Sequence, residues 1–179
     1  MRHRATGKSK PPRPAPAPWP AFNPRLRKPE KNAMIVRNAH ATDADRLAEL
    51  SAELGYPVEP ETISRRLRRL LKNEEHLLLV AESPTDRIVG WIHAAQQDVL
   101  EAGRFCEILG LVVGSGQRGQ GVGRRLVEQV ERWAHGRDLS HVTVRSNVVR
   151  PDSHPFYERI GYSRLKTQHV YRKRLAPEK

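Results

Sequence analysis

The chain has 179 residues, a formal net charge of +12, 37% hydrophobic residues and a single cysteine. The length suits one domain with a sizeable core, but the low hydrophobic share implies that part of the chain stays outside it. One cysteine excludes an internal disulfide and points to a reducing, cytoplasmic setting, and no apolar stretch approaches the roughly 18 residues that a membrane span needs.

The charge is unevenly spread. Residues 1–33 hold nine Lys or Arg against one Asp or Glu, net +8, while residues 34–179 hold 23 against 19, net +4. Eight of the 14 prolines also fall in residues 1–33, which show no apolar period. Such a stretch cannot bury enough surface to offset the entropy of ordering, so a disordered basic tail is expected there. A nucleic-acid-binding arm and an organellar transit peptide are the functional alternatives. The prolines would break the amphipathic helix that a transit peptide needs. Met34 directly precedes the first strand-like run and could be the start codon. Residues 34–179 then read as one domain, with no internal repeat.

Ile35 to Asn38 reads as the first strand. Thr42 is a candidate helix N-cap with Asp45 at the capping-box position. Leu47, Leu50 and Leu54 give that helix its apolar face, and Gly55 and Pro57 end it. A second helix spans Glu61 to Asn73, with Ile63, Leu67, Leu70 and Leu71 inward and Arg65, Arg66, Arg68 and Arg69 outward. That basic face is either ordinary solvated surface or a docking face for an acidic partner. His76 to Glu82 and Ile88 to Gln96 form a hairpin around a Pro84–Asp86 turn. Cys106 to Val113 is the next strand, and Gly110 in its middle signals a bulge.

A glycine-dense turn, Gly114 to Gly123, leads into a helix whose Leu126, Val130 and Trp133 share one face, ended by Gly136. Strand, glycine turn and helix together make an anion site. Glycines let the backbone come close, and the first helical N–H groups lack partners. Gly114, Gly116 and Gly119 match G-x-G-x-x-G, but the following strand-like run, His141 to Asn147, holds no acidic residue for a ribose. No Lys-Ser or Lys-Thr follows the glycines to make a P-loop. His141 to Ser146 is a strand, Ser153 to Ile160 a short helix, and Tyr162 to Lys166 and Gln168 to Arg174 two closing strands.

Arg118, Gly121 and Gly123 also spell R-x-x-G-x-G at the start of the helix. This resembles the coenzyme A pyrophosphate loop of the GNAT superfamily of N-acetyltransferases. Downstream, Asn147 to Tyr162 (NVVRPDSHPFYERIGY) resembles that superfamily's next motif, an asparagine followed by F-Y-E-x-x-G-Y/F. The motifs cover Glu107 to Tyr162, and the resemblance as a whole runs from about Met34 to Leu175. It implies an α/β (equally α+β) fold: a mixed, mostly antiparallel sheet of six or seven strands, flanked by helices, with splayed central strands that leave a slot for the pantetheine arm.

The implied activity is acetyl-CoA-dependent acetylation of a primary amine by direct attack in a ternary complex, without a metal. Backbone N–H groups of Arg118, Gly119, Gln120, Gly121, Val122, Gly123 and Arg124 would hold the pyrophosphate. The strand Leu111–Val112–Val113 would pair its main chain with the pantetheine amides, and a donor near Val113 would polarise the thioester. Asn147 would hydrogen-bond the pantetheine, although ten positions separate it from Tyr157, a longer spacing than many members show. Tyr157 falls at the position of the tyrosine that protonates the coenzyme A sulfur. A phenol near ~10 and a thiol near ~8.5 can exchange a proton. The alternative is a core tyrosine bridging sheet and helix. Glu107 sits where some members keep a carboxylate that activates the amine, directly or through water; the alternative is an ion-paired strand-end carboxylate. His154 shares a helix face with Tyr157 and either touches the cofactor or packs. Cys106 lacks a paired histidine and reads as a small buried residue, not as a nucleophile.

A small-molecule amine is the expected acceptor and a protein amine the alternative. Neither membrane nor nucleic acid is an expected partner, and a homodimer is left open. The rival functions are an acyl-CoA-binding regulatory module without turnover and a nucleic-acid-binding protein acting through the tail.

Overall fold

The computed structural model describes residues 34–85, 87–150 and 153–175. The expected tail, 1–33, and Asp86 of the expected turn lie outside the described residues. Strands β1 (Ile35–Asn38), β2 (His76–Glu82), β3 (Ile88–Val99), β4 (Gly103–Val113) and β5 (Val142–Val144) form one sheet in chain order. The first four pair antiparallel, and β5 runs parallel to β4. A parallel pair needs a crossover, supplied by the helix α3 (Val122–His135).

Side chains alternate between the two faces of a strand, and each face has its own cover. Leu79, Ile92, Ala94, Cys106 and Ile108 lie under Leu126, Val127 and Val130 of α3. On the other face Leu78, Val80 and Val112 meet Leu47 and Leu50 of α1 (Ala44–Glu53) and Leu67 of α2 (Pro60–Leu70). A short helix, α4 (Ser153–Arg159), follows β5. No helix among the described residues is long and apolar enough to cross a membrane.

The first helix is capped differently from the Thr42–Asp45 expectation. A 3-10 turn, Ala41–Asp43, precedes α1, and the Asp43 carboxylate accepts the His40 N–H at 2.7 Å. Arg37 on β1 donates to both oxygens of Asp43, at 2.9 and 3.1 Å, and also to Glu82. A long-range ion pair thus fixes Asp43, which closes the 3-10 turn and is the N-cap residue of α1, one position after Thr42. The second helix starts earlier than expected, because Pro60 presets the helical backbone at its first position, and it ends at Leu70, not Asn73.

The sheet has five strands, not six or seven. Tyr162–Lys166 and Gln168–Arg174 are not strands. Among the described residues, no backbone group of 163–175 hydrogen-bonds to the rest of the chain. Strand propensity without a neighbour to form a ladder yields only an extended segment.

The bulge signalled by Gly110 is present. His93 pairs with Gly110 and Ala94 with Ile108, so Leu109 has no opposite residue. A Cβ at Gly110 would lie 2.8 Å from the Trp91 ring, so the indole occupies the space a side chain would need. Pairing between β4 and β5 stops at Ile108 and Val144. Beyond that point, among the described residues, Leu109 to Val113 run without a strand partner on the β5 side.

Candidate active site

The unpartnered half of β4 presents main-chain groups. Gly114 N–H donates to the Val89 carbonyl at 2.9 Å. Antiparallel pairing alternates bonded and non-bonded residue pairs, which turns the N–H and C=O of Leu111 and Val113 away from β3 and into the open slot. Arg118 Nε reaches the Val113 carbonyl from that side at 3.3 Å.

The slot leads to the start of α3. Gly119 and Gly121 have φ of +76° and +79°, a region costly for any residue with a Cβ. Gly121 is the helix N-cap, with no side-chain cap. The first backbone bond into the helix runs from Arg125 N–H to the Gly121 carbonyl at 3.0 Å. The N–H groups of Val122, Gly123 and Arg124 are therefore left without helical acceptors. A Cβ placed at Gly116, Gly119 or Gly121 would meet nothing within 4 Å, so the space over the loop is open. Arg118 and Arg124 are exposed beside it, Arg124 bonding Glu128 at 2.8 Å. Unpartnered donors, a positive helix end and nearby cations fit a pyrophosphate.

Helix α4 docks against this same turn. A Cβ at Gly123 would lie 3.2 Å from the Phe156 ring, so glycine there lets the two helices approach. Tyr157 follows, its ring edge-on to Phe156 at 5.0 Å and to Tyr162 at 5.7 Å. Burial pushes its hydroxyl up to about 12. The close match to a thiol that an ordinary phenol would offer is lost, and the hydroxyl keeps its proton across the neutral range.

Glu107 is 5% exposed and faces away from Cys106 and Ile108. Its Oε1 forms an ion pair with Arg145 Nη1, 3.1 Å away. Cys106 is fully buried, and burial followed by the Glu107 charge pushes its thiol up to about 12. No reactive thiolate is present there. Asn147 Oδ1 accepts the Val149 N–H at 3.2 Å, and its carbonyl accepts from Arg150 N–H at 3.0 Å and pairs with His154 Nε2 at 3.2 Å. Asn147 thus organises the turn ahead of α4. Gly114, Gly116 and Gly119 all precede the helix, and the mostly antiparallel sheet is not a doubly wound dinucleotide fold.

A profile of the Acetyltransferase (GNAT) family matches residues 44–162. The chain belongs to this family. It is an acyltransferase, and acetyl-CoA is the family's acyl donor. The uncharacterized N-acetyltransferase YhdJ of Bacillus subtilis (strain 168) is 26% identical over 115 residues, covering 64% of this chain and 80% of that protein. The fold is shared with the aminoglycoside antibiotic 6'-N-acetyltransferase AAC(6')-Ih from Acinetobacter baumannii, at TM-score 0.71 and 18% identity over 80% of this chain and all (100%) of that one. It is shared equally with AAC(6')-Iy, solved with the bisubstrate analog CoA-S-monomethyl-acetylneamine, at TM-score 0.71 and 17% identity over 80% and 99% of the two chains.

Sequence reasoning missed two features near this acetyltransferase's candidate site. Arg145 meets Glu107 because Thr143 of β5 lies opposite Glu107 in the parallel register, and a register joined through a helical crossover carries no local signal. The second is a histidine pair on the Glu107 face. His76 Nδ1 and His93 Nε2 are 2.9 Å apart, and His93 sits opposite Gly110 of the acetyltransferase's bulge. Burial, then the neighbouring His76, pushes His93 down to about 4 and keeps it neutral. Strand alternation puts both on one face, which is the signal that was available.

Proposed function

We propose that this acetyltransferase moves an acetyl group from acetyl-CoA to a primary amine by direct attack in a ternary complex. The observation that carries this reading is one continuous path: an unpartnered β4 edge that runs into an uncapped helix N-terminus. The backbone from Arg118 through Gly119, Gln120, Gly121, Val122 and Gly123 to Arg124 binds the pyrophosphate. The main chain of Leu111 and Val113, with Val112 anchored in the core between them, aligns the pantetheine arm. Acetyl-CoA supplies the thioester carbonyl.

Glu107, ion-paired with Arg145, takes the proton of the incoming ammonium, directly or through water. The amine nitrogen forms its bond to the acetyl carbon as the carbon–sulfur bond breaks, and the proton that the new amide nitrogen sheds ends on the sulfur, giving the free thiol. Tyr157 donates its hydroxyl hydrogen to the departing sulfur. With that hydroxyl near 12 and a thiol near ~8.5, Tyr157 acts as a hydrogen-bond donor during cleavage more than as a fully dissociating acid. Asn147 steadies the turn that carries α4 and meets the pantetheine.

The acceptor is a small-molecule amine, with a protein amine as the alternative; the shared fold with two aminoglycoside acetyltransferases supports the first. The single buried thiol suits a reducing cytoplasm, and residues 34–179 suffice for turnover. The test is an acetyl-CoA turnover assay across aminoglycosides, polyamines, amino-acid amides and peptides, with released thiol as readout. Amine-dependent thiol release is expected, at the same rate from residues 34–179 alone. Tight acetyl-CoA binding without release across the panel would favour a regulatory module. Loss of function on removing 1–33, with steep salt dependence, would favour nucleic-acid binding.

A further inference from the structure

The face that Glu107 lies on gathers positive charge where an amine arrives. Strand alternation puts Glu107 on the side away from Cys106 and Ile108, the side covered by α1 and α2. Arg145 Nη1 lies 3.1 Å from the Glu107 carboxylate, and the Arg145 side chain is 68% exposed. A guanidinium has five N–H donors in a fixed fork, so Nε and Nη2 of Arg145 remain for a ligand.

A second guanidinium stands at the rim. Arg150, in the turn after β5, donates from Nη2 to the Leu54 carbonyl at the end of α1, 2.8 Å away. It also lies 5.6 Å from the centre of the Tyr56 ring, within cation–π range. Arg150 therefore joins the β5 side of the slot to the α1 side. Among the described residues it has no carboxylate partner. The acids in the C-terminal half of α1 are engaged elsewhere: Glu49 pairs with Arg46, and Glu53 accepts the Ser115 N–H at 2.9 Å. Glu59, exposed at the start of α2, pairs with neither arginine.

We propose that the acceptor is a primary amine that also carries an anionic group, a carboxylate or a phosphate, which Arg145 and Arg150 hold. The planar fork of arginine matches two oxygens of either group. The anion lies close to the amine, because Arg145 already touches the carboxylate that the amine approaches. An aminoglycoside or a polyamine would bring several ammonium groups to a face whose buried carboxylate is already ion-paired, and like charges set against each other weaken binding. This assignment rests on Glu107 being the group that takes the proton of the amine.

Turnover by the full chain, read as released thiol, should compare amino acids with their carboxamides and O-phosphoethanolamine with ethanolamine. The anionic member of at least one pair should have a kcat/KM higher by roughly 10-fold or more, and the pair that responds tells carboxylate from phosphate. The carboxamide's amine is the less basic, so a preference for the acid does not come from a readier supply of free amine. Equal rates within both pairs, or faster turnover of spermidine or an aminoglycoside, would overturn the proposal. Thiol release from none of the amines would count against acetyl transfer instead, and the anion is then read by binding. With coenzyme A present, N-acetyl amino acids or N-acetyl-O-phosphoethanolamine should raise the thermal midpoint more than their uncharged counterparts do; no difference would overturn the proposal. Arg150→Gln should raise KM for the anionic amine roughly 10–10²-fold, the value of one hydrogen bond between charged groups. Its kcat and its KM for the neutral partner should stay nearly unchanged, and Arg150→Lys should restore part of the loss. An equal loss for both amines would show that Arg150 only braces the turn, and would refute its place in the site. The wild-type comparison of matched pairs decides the matter even where the variant fails to fold.

Discussion

Replacing Gly121 by alanine separates backbone strain from cofactor binding. Gly121 sits at φ +79° and ψ 3°, and a Cβ there would meet nothing within 4 Å. The stability cost is therefore backbone strain alone. A left-handed backbone costs an L-residue about 1–2 kcal/mol, and the lost flexibility of the unfolded chain offsets roughly 0.5 kcal/mol of that. A net loss of about 1 kcal/mol should lower the thermal midpoint by about 2–4 °C for a domain of this size. The effect on coenzyme A should be larger. The new methyl stands in the open space over the loop, where the pyrophosphate is proposed to lie. Hydrogen bonds to a charged group contribute about 1.5–3 kcal/mol each, so displacing two phosphate contacts should raise Kd roughly 10²–10³-fold or more. Gly121→Glu, which adds a negative charge, should abolish binding. Gly116→Ala is the control. Its φ lies outside the strained region and its Cβ also meets nothing, so its melting should not change. Titration calorimetry with coenzyme A, beside thermal melts, makes the comparison. A Gly121→Ala protein that melts a few degrees lower yet binds coenzyme A as the wild type does would refute the cradle.

Tyr157→Phe should cut kcat by roughly 10²–10³, the scale for one preorganised hydrogen-bond donor to developing charge, with coenzyme A affinity nearly unchanged, by steady-state kinetics and calorimetry. Because the buried hydroxyl titrates near 12, both enzymes should have the same alkaline profile up to about pH 10; a tyrosine-dependent decline below that would contradict the burial argument. Acid should destabilise the fold in two stages, read as thermal midpoint against pH. As pH falls from 6.5 to about 4, the unfolded chain takes up a proton at His93 that the buried folded ring refuses, so His93→Gln should flatten this stage. Burial raises the Asp43 carboxyl, but hydrogen bonds from Arg37 and the His40 N–H outweigh it and bring it below 3.8. The stability it contributes is complete above 3.8 and lost as pH falls through the lower folded value, so Arg37→Gln should shrink the second stage.

Much of this chain could be read from local pattern. Ile35–Asn38 and His76–Glu82 are strands at the expected residues, because alternation and β-branched side chains act within a few residues. Gly110 announced its bulge, since a glycine inside a strand marks irregular pairing. Tertiary structure decided whatever needed a distant partner. The helix cap moved to Asp43 because Arg37, on a different element, reaches it. Glu107 gained Arg145 through a parallel register that no local signal encodes. The Tyr157 hydroxyl rose because packing partly buries it, a property of the tertiary fold and not of the F-Y-E motif. Tyr162–Lys166 and Gln168–Arg174 have the composition of strands and are not strands. A strand exists only where another backbone satisfies its hydrogen bonds, and among the described residues none does so for 163–175.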